Sequence, residues 1–256
     1  MYGLKQAPRA WFERFSKTLL QYGFKQSKCD HSLFLFSSSE GVMLLQLYVD
    51  DIILTGRSSA LLSSLTTYLS KEFAMNDLGD LHYFLGIEAT RNCSTNQILL
   101  SQKKYTMDLL TKEDMVNCKP CSTPVLKGPR CSILDGELLE DSLFYRSLVG
   151  GLQYVTMTRP DIAFAVSYVS QFMHQPTTVH LQLFKRILRY FKGSLGSGIT
   201  LGSSDLNSLT AYTDSDWAGF PDTRRSTAGY CVFLGSSLLS WTSKKQPTVS
   251  RSSAEA

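Results

Sequence analysis

The sequence contains no long hydrophobic run and few cysteines or histidines. No stretch approaches the roughly 20 apolar residues that span a bilayer, and the opening MYGLKQAPRAWF lacks the apolar segment of a signal peptide. We therefore expect a soluble chain with no membrane partner. Six cysteines are scattered over 256 residues without the paired spacings of a secreted disulfide framework, which favours a reducing compartment.

One CxxC pair, Cys118 and Cys121, stands out among these cysteines. Structural zinc sites use about four ligands, and neither a second CxxC nor an HxxxH completes the set here. The flanks also differ from the strand and helix of a thioredoxin-like redox site. We interpret the pair as loop cysteines, and the four dispersed histidines as structural residues.

The composition is that of an ordinary globular protein, with 43% hydrophobic and 19% charged residues. It indicates one large or two modest domains with a packed core. The formal net charge is +4 and the pI is about 8.7. This mild basicity is compatible with a polyanionic partner but does not require one.

Hydrophobic periodicity in the first half predicts an α+β arrangement built on a small antiparallel sheet. An amphipathic helix is expected in PRAWFERFSKTLLQYGF, followed by strands at 32–36, 42–49 and 52–56. A leucine-rich helix starts near Ser58, and strands in LHYFLGIEA and QILLS precede a helix through QKKYTMDLLTK.

The stretch LLQLYVDDIILTG, residues 44–56, places Asp50 and Asp51 between two of these strands, at the tip of a hairpin. An aspartate in a turn is common. Two adjacent aspartates suit a tight type I′ turn poorly, because both central residues need positive φ. Their mutual repulsion is a further cost unless a cation offsets it. We therefore predict a functional role for the pair, such as holding the ions of two-metal phosphoryl transfer.

The second half begins with a region rich in proline and glycine, predicted to be a linker at 119–138. Three helices follow, with breaks at Arg159-Pro160 and Gln175-Pro176. The last helix carries Lys185, Arg186 and Arg189 around its apolar stripe. Either a solvated face or a nucleic-acid-facing one explains them. Strands are predicted in GITL, LTAYTD, AGYCVFLG and LLSWTSK.

Several segments together carry a family resemblance that covers essentially the whole chain. They are YGLKQAPRAW, YVDDIILTG, LGIEATR, KPCSTPV, YRSLVGGLQYVTMTRPDIAFAVSYVSQFM, DSDWAG and RRSTAGYCVFLG with LLSWTSKKQPTVSRSSAEA. In this order they resemble the pol polyprotein of Ty1/copia-type LTR retrotransposons, and YVDD resembles the catalytic hairpin of its reverse transcriptase.

The resemblance implies specific roles for several residues. Asp50 and Asp51 would be two of three palm aspartates that bind Mg²⁺ (or Mn²⁺) and the triphosphate, with Asp50 as the principal ligand. Tyr48 would lie against the primer terminus. Residues of the opening motif would support the template and the incoming nucleotide, Leu85 and Gly86 would belong to the primer grip, and the basic helix would contact phosphates. The motif residues concerned are Gly3, Lys5, Gln6 and Pro8.

The same resemblance identifies LTAYTDSDWAG as the first strand of an RNase H domain. Asp214 would be its first metal ligand, whereas Asp216 is at least as well explained as an aspartate in a turn at the strand end. The family pattern also places a first palm aspartate before the opening motif, and further RNase H ligands beyond Ala256. We therefore expect the chain to hold an incomplete set of ligands.

The expected fold is α+β: a partial right-hand polymerase palm and thumb, a helical connection and an incomplete RNase H-like sheet. Residues 1–118 would form the C-terminal part of the palm and the start of the thumb, 119–138 a linker, 139–198 the thumb or connection helices, and 199–256 the N-terminal part of the RNase H-like domain.

Three functional hypotheses follow. The chain is a reverse transcriptase and RNase H fragment that acts on an RNA template, a DNA primer, an RNA–DNA hybrid and dNTPs beside other pol segments. Alternatively, it is an inactive remnant of a degenerate element with non-specific nucleic-acid binding. A third hypothesis, an unrelated Ca²⁺-binding α+β protein, fits less well, because the 12-residue spacing of a calcium loop is missing. An intact element would work in cytoplasmic particles or the nucleus, and an organellar copy is a further alternative.

Overall fold

The computed structural model of the protein describes residues 6–203 and 205–256. The chain divides into two compact units, Met1–Leu81 and His82–Ala256. Each unit combines helices with antiparallel strands, so the predicted α+β class is confirmed.

The first unit is a four-stranded antiparallel sheet in chain order, with two helices. Its elements are α1 (Ala7–Tyr22), β1 (Lys25–Gln26), β2 (Leu33–Ser38), β3 (Gly41–Tyr48), β4 (Asp51–Gly56) and α2 (Ser59–Glu72).

Local sequence explains the bounds of both helices. Pro8 lies in the first turn of α1, where its missing N–H is not needed. Gly23 ends α1 in the left-handed conformation, with a φ of 112°. The hydroxyl of Ser58 caps α2 by accepting a hydrogen bond from the Leu61 N–H. These are the helix limits that the periodicity predicted.

The core of the first unit lies between the helices and one face of the sheet. Phe15 and Leu19 of α1 are fully buried. They belong to one hydrophobic cluster with the inward side chains of the strands and of α2. The cluster members from those elements include Phe34, Met43, Leu45, Leu47, Leu65 and Leu69. This packing fixes which face of β3 points to solvent.

The second unit contains two further sheets and the remaining helices. Its elements are β5 (Tyr83–Phe84), β6 (Ile87–Asn92), β7 (Gln97–Ser101), α3 (Lys103–Lys112), α4 (Ser142–Val155), a 3₁₀ helix (Pro160–Ile162), α5 (Ala163–Ser170), α6 (Thr178–Gly193), β8 (Gly198–Gly202), β9 (Leu209–Ser215), β10 (Thr227–Leu234) and β11 (Ser237–Lys245). The sheets have the orders β5-β6-β7-β8 and β11-β10-β9.

The division into units differs from the predicted domain limits. β7 pairs with β8 over its whole length, from Gln97 opposite Gly202 to Ser101 opposite Gly198. Residues 82–118 therefore belong with the second unit. The predicted limits assign the two paired strands to different domains, and the limit at 198/199 falls within β8. This long-range pairing has no local signature in the sequence, which is why periodicity missed it.

Residues 119–138, predicted as a linker, form no helix or named strand in the structure. Hydrogen bonds at several points along the segment hold it against α6. We call this segment the strap. The N–H of Cys121 donates to the Arg189 carbonyl at 3.2 Å, and the Thr178 N–H donates to the Glu137 carbonyl at 2.8 Å. The imidazole Nε2 of His180 is 3.1 Å from the Ser132 carbonyl oxygen. The strap is thus a packed segment rather than a free connection.

The predicted helix breaks are confirmed. α4 ends at Val155, the 3₁₀ helix starts at Pro160, and α6 starts after the cap residue Thr177. The buried faces of α4, α5 and α6 form the main core of the second unit. None of the helices in the described ranges is both long enough and apolar enough to cross a bilayer.

Candidate active site

Asp50 and Asp51 lie at the tip of the β3–β4 hairpin. Tyr48 pairs with Asp51, so the turn itself consists of Val49 and Asp50. The sequence predicted both aspartates within the tip. In the structure Asp50 is a turn residue, whereas Asp51 is the first residue of β4. Both aspartates are exposed.

The alternation of β3 determines which polar groups the hairpin presents. Leu45 and Leu47 are buried in the core. Because successive side chains of a strand point to opposite faces, Tyr48 points away from the core, and it is 54% exposed. Asp51 lies directly opposite Tyr48 and shares its face. A phenol and a carboxylate therefore lie side by side at the end of the hairpin.

The turn is strained at Val49, whose φ is 51°. A β-branched residue in the left-handed region is an outlier, with a cost of about 1–2 kcal/mol. Asp50 has no positive φ, so the turn lacks the positive φ at both central residues that the type I′ turn considered from sequence requires. Strain of this kind persists only where the surroundings hold it.

Trp11 of α1 contacts this turn directly. Its indole Nε1 donates a hydrogen bond of 2.7 Å to the carbonyl oxygen of Val49. The indole ring packs against Phe15 and Phe73, with centroid distances of 5.2 and 5.1 Å. An aromatic cluster from α1 and the end of α2 thus restrains the strained residue.

The chemistry of the turn fits a hard divalent cation. Mg²⁺ is bound in proteins through one or two carboxylates, with water and substrate phosphates as the remaining ligands. Asp50 and Asp51 supply two exposed carboxylates in neighbouring positions. Within residues 6–203 and 205–256, no group of three or more histidine, cysteine or acidic side chains forms a complete metal site.

The opening motif is described in part. Gln6 is the N-cap residue of α1, and its carbonyl accepts a 3.0 Å bond from the Ala10 N–H. Pro8 lies in the first turn and is exposed. Gly3 and Lys5 lie outside the described residues, so their predicted roles gain no structural detail.

Leu85 and Gly86 form the two-residue turn of the β5–β6 hairpin. Both have positive φ, 47° and 77°, which is the type I′ pattern. The hydroxyl of Tyr154 in α4 donates to the Leu85 carbonyl. A Cβ at Gly86 would overlap the Tyr154 hydroxyl, so glycine is required here for both its φ and its size.

The basic residues of α6 divide into two groups. Lys185 is exposed. Arg186 donates to the Thr123 hydroxyl at 2.8 Å, and Arg189 donates to the Lys119 carbonyl at 2.8 Å. The two arginines therefore fasten the strap to α6, a role that the sequence did not indicate.

Asp214 and Asp216 differ in their surroundings. Asp214 is exposed in β9, and its cross-strand neighbour is Gly229. Asp216 is paired with Arg130 of the strap and accepts a 2.8 Å bond from the Thr227 N–H. Asp216 thus has a structural role, while Asp214 remains the prediction for a metal ligand.

Comparison with known proteins identifies the family. Residues 1–127 match the family described as reverse transcriptase (RNA-dependent DNA polymerase). Over all 256 residues the chain is 48% identical to the Retrovirus-related Pol polyprotein from transposon RE1 of Arabidopsis thaliana. The chain belongs to the reverse transcriptase family of copia-type retrotransposon Pol polyproteins.

Two other proteins to which the chain is similar differ in the share of their length that is matched. The Pol polyprotein from transposon TNT 1-94 of Nicotiana tabacum is 37% identical over 265 aligned positions, which cover 100% of the chain and 20% of the relative. The uncharacterized mitochondrial protein AtMg00810 of Arabidopsis thaliana is 49% identical over 213 residues, 83% of the chain and 88% of the relative. The chain spans 17% of the RE1 polyprotein. No solved structure matches it.

Two residues of the chain acquire a role only from the structure. Trp11 lies in α1 and Tyr154 in α4, where the sequence predicts helices but no specific contact for either residue. Each donates a hydrogen bond to a hairpin turn. A polar N–H or O–H on a half-buried aromatic ring needs a partner, and that rule marks such residues as candidates without naming the acceptor.

Proposed function

We propose that the chain carries part of the polymerase site of a retrotransposon reverse transcriptase, in which Asp50 and Asp51 hold the divalent ions used for RNA-directed DNA synthesis. The observation that carries this proposal is the pair of adjacent, exposed carboxylates on a strained turn in a member of the reverse transcriptase family.

Asp50 and Asp51 act here as ligands of Mg²⁺ or Mn²⁺, with Asp50 as the principal ligand. When bound, such ions stabilise the attacking and leaving oxygens in phosphoryl transfer. Tyr48 shares the exposed face of Asp51 and offers a ring for contact with the primer terminus. Adjacent carboxylates repel one another, and a bound cation would offset this repulsion.

The remaining contacts position the nucleic acid. Leu85 and Gly86 form a rigid turn suited to a primer grip, and Gln6 and Pro8 at the start of α1, with Gly3 and Lys5, support the template and the dNTP. Lys185 provides an exposed charge for a phosphate. Arg186 and Arg189 have five N–H donors each and use part of them on the strap. Arg186 Nε is buried without a partner, so only the solvent-facing donors of the two arginines would extend the same phosphate-binding surface.

The proposal extends to the domain roles. Residues 1–118 would form the palm and the start of the thumb, 139–198 the thumb or connection helices, and 199–256 the beginning of an RNase H-like domain. Asp214 would be a metal ligand for cleavage of the RNA in an RNA–DNA hybrid. Its exposed place on β9 leaves the carboxylate accessible to such a substrate.

Primer extension on an RNA template with Mg²⁺ or Mn²⁺ tests the polymerase proposal. The comparison is between the wild-type chain and the Asp50→Asn, Asp51→Asn double variant. A matched control is Asp77→Asn, Asp80→Asn, which removes the same charge from exposed positions of the same unit. We expect extension by the wild type and the control, with a loss of about 10²-fold or more in the Asp50/Asp51 variant. Equal extension by all three chains would contradict the assignment.

A second candidate function is nucleic-acid binding without catalysis. It is favoured by the finding that the described residues hold two adjacent carboxylates but no group of three metal-binding side chains. In that case none of the three chains extends a primer, yet all three bind an RNA–DNA hybrid with an affinity that falls steeply as salt rises, because phosphate contacts release counterions.

A further inference from the structure

We propose that Trp11 is a positioning residue for the carboxylates of Asp50 and Asp51. Its indole N–H holds the peptide between Val49 and Asp50 in one orientation, and that orientation sets the direction of the acidic side chains. This inference rests on the proposed metal-binding function of the turn and names a residue on which that function depends.

The Trp11 bond influences the carboxylates because of the position of its acceptor in the chain. The Val49 carbonyl, 2.7 Å from the indole nitrogen, belongs to the peptide that leads into Asp50. Rotation of that peptide changes ψ of Val49 and φ of Asp50 together. The Cα–Cβ direction of Asp50 then changes as well, and so does its spacing from Asp51. A hydrogen bond to this carbonyl therefore acts on the carboxylates without touching them.

The strain at Val49 makes such a restraint necessary. With a φ of 51°, this β-branched residue lies in a region that it leaves readily unless its neighbours hold it. Relaxation of Val49 to negative φ would turn the following peptide and reorient Asp50. The bond from Trp11 opposes that relaxation at the residue where the strain lies.

Trp11 is itself held firmly enough to act as an anchor. Phe15 is fully buried and Phe73 is 7% exposed, and both rings pack against the indole. Arg14 lies over the Phe73 ring at 5.2 Å and donates to the Glu72 carbonyl at 3.3 Å. The indole is therefore fixed to α1 and to the end of α2.

The chain supplies a matched control among its three tryptophans. Trp241 also donates its indole N–H to a backbone carbonyl, that of Thr156, at 3.0 Å. Trp11→Phe and Trp241→Phe thus remove the same kind of bond and keep an aromatic ring. Of the two, only the Trp11 acceptor lies in the turn that carries Asp50.

The first experiment measures Mn²⁺ affinity in the full chain by the electron paramagnetic resonance of free Mn²⁺. The part of the binding that disappears in Asp50→Asn, Asp51→Asn defines the site. We expect Trp11→Phe to raise the Kd of this site about fivefold, the scale of one lost hydrogen bond. Trp241→Phe should leave the Kd unchanged.

The second experiment follows the turn without metal. Backbone chemical shifts and amide hydrogen exchange of residues 48–51 are compared in the wild type, Trp11→Phe and Trp241→Phe. We expect altered Val49 and Asp50 shifts and about tenfold faster exchange in Trp11→Phe alone, because local opening depends on the restraints that remain.

A third variant separates positioning from general packing. Glycine adopts positive φ without strain, so a Val49→Gly background removes the strain that the indole bond is proposed to oppose. Trp11→Phe should then raise the Mn²⁺ Kd less than twofold, against about fivefold in the wild-type background. A role limited to packing would give the same factor in both backgrounds.

The outcomes distinguish this inference from the proposed function. If the wild type and Asp50→Asn, Asp51→Asn bind Mn²⁺ equally, the metal function of the turn fails, and the inference that Trp11 positions metal ligands fails with it. If binding depends on the aspartates but Trp11→Phe matches Trp241→Phe in Kd and in the turn shifts, the proposed function stands and the inference is overturned. A changed turn with an unchanged Kd also overturns it.

Discussion

The β3–β4 turn and the β5–β6 turn each consist of two residues, and in each an aromatic side chain from a helix donates a hydrogen bond to the carbonyl of the first turn residue. Trp11 donates to the Val49 carbonyl, and Tyr154 donates to the Leu85 carbonyl. The first residue has positive φ in both turns, 51° and 47°. The construction is therefore the same, although the two turns belong to different units.

The difference lies in the second residue. In the β5–β6 turn this is Gly86, with a φ of 77°, and the pattern is the one that a twisted hairpin favours. In the β3–β4 turn it is Asp50, followed by Asp51. The positive φ of this turn lies only at its first residue, Val49, a position that glycine or asparagine would occupy with less strain. The strain at Val49 thus lies directly beside the two carboxylates of the proposed metal site.

The largest change in the free energy of unfolding is expected for a substitution in the β5–β6 turn. Gly86→Ala places a methyl group against the Tyr154 hydroxyl at a position with positive φ, and should lower the free energy of unfolding of the second unit by about 2–4 kcal/mol. Urea denaturation measures this loss. Gly150→Ala in α4, where a Cβ meets nothing within 4 Å, should instead stabilise the unit by about 0.5–1 kcal/mol. Equal effects at the two glycines would refute the argument from Gly86.

A smaller effect is expected when the turn loses its aromatic donor. Tyr154→Phe removes the bond to the Leu85 carbonyl and should cost about 1 kcal/mol of unfolding free energy. The control Tyr83→Phe alters an exposed tyrosine of the same unit and should remain within about 0.5 kcal/mol. A Tyr154→Phe chain as stable as the control would show that the bond does not hold the turn.

In the β3–β4 turn, by contrast, the introduction of a glycine should increase stability. Val49→Gly relieves the left-handed strain and should raise the unfolding free energy of the first unit by about 0.5–1 kcal/mol, after the entropy cost of glycine is counted. Val42→Gly, at an exposed strand position without positive φ, should lower it by a similar amount, about 0.5–1 kcal/mol. Destabilisation by Val49→Gly would remove the evidence for strain.

Acidification should lower the stability of the second unit through His180. Burial lowers the pKa of His180 below its ordinary value of 6.5, although the Ser132 carbonyl and two nearby carboxylates oppose the shift. The unfolded chain then binds more protons than the folded one. The contribution of His180 to stability is therefore full above about pH 6.5 and declines as pH falls below it.

Urea denaturation of the second unit at several pH values measures this decline. His180→Gln should flatten the pH dependence, whereas His174→Gln, at an exposed position, should leave it unchanged. A profile that is equally steep in the wild type and in His180→Gln would contradict the assignment to His180.

The local elements of the fold were predictable because their causes are local. The apolar stripe of α1, the cap at Ser58 and the breaks before Pro160 and Pro176 all appear as periodicity or single residues. The pairing of β7 with β8 was not predictable, because nothing in either strand specifies its partner. The strap was not predictable either: its order comes from Arg186, Arg189 and His180, residues far along the chain.

The candidate site was predictable in its residues but not in its geometry. The Asp50–Asp51 pair is visible as two charges between apolar strands, and family resemblance adds their expected role. The strand register, by contrast, places Val49 and not Asp51 in the turn. The bond from Trp11 depends on how α1 packs on the sheet, and no pattern in the sequence encodes that distance.

The most direct test of the proposed metal site is to locate bound Mn²⁺ relative to the β3–β4 turn. Amide resonances of the ¹⁵N-labelled chain are followed during a Mn²⁺ titration, since the paramagnetic ion broadens nearby signals. The reference is the Ser39–Glu40 turn at the other end of β3, about 25 Å away for an eight-residue strand. We expect the signals of residues 48–51 to broaden before those of the reference turn, and we expect Asp50→Asn, Asp51→Asn to abolish this order. Simultaneous broadening of both turns, or an unchanged order in the variant, would contradict it.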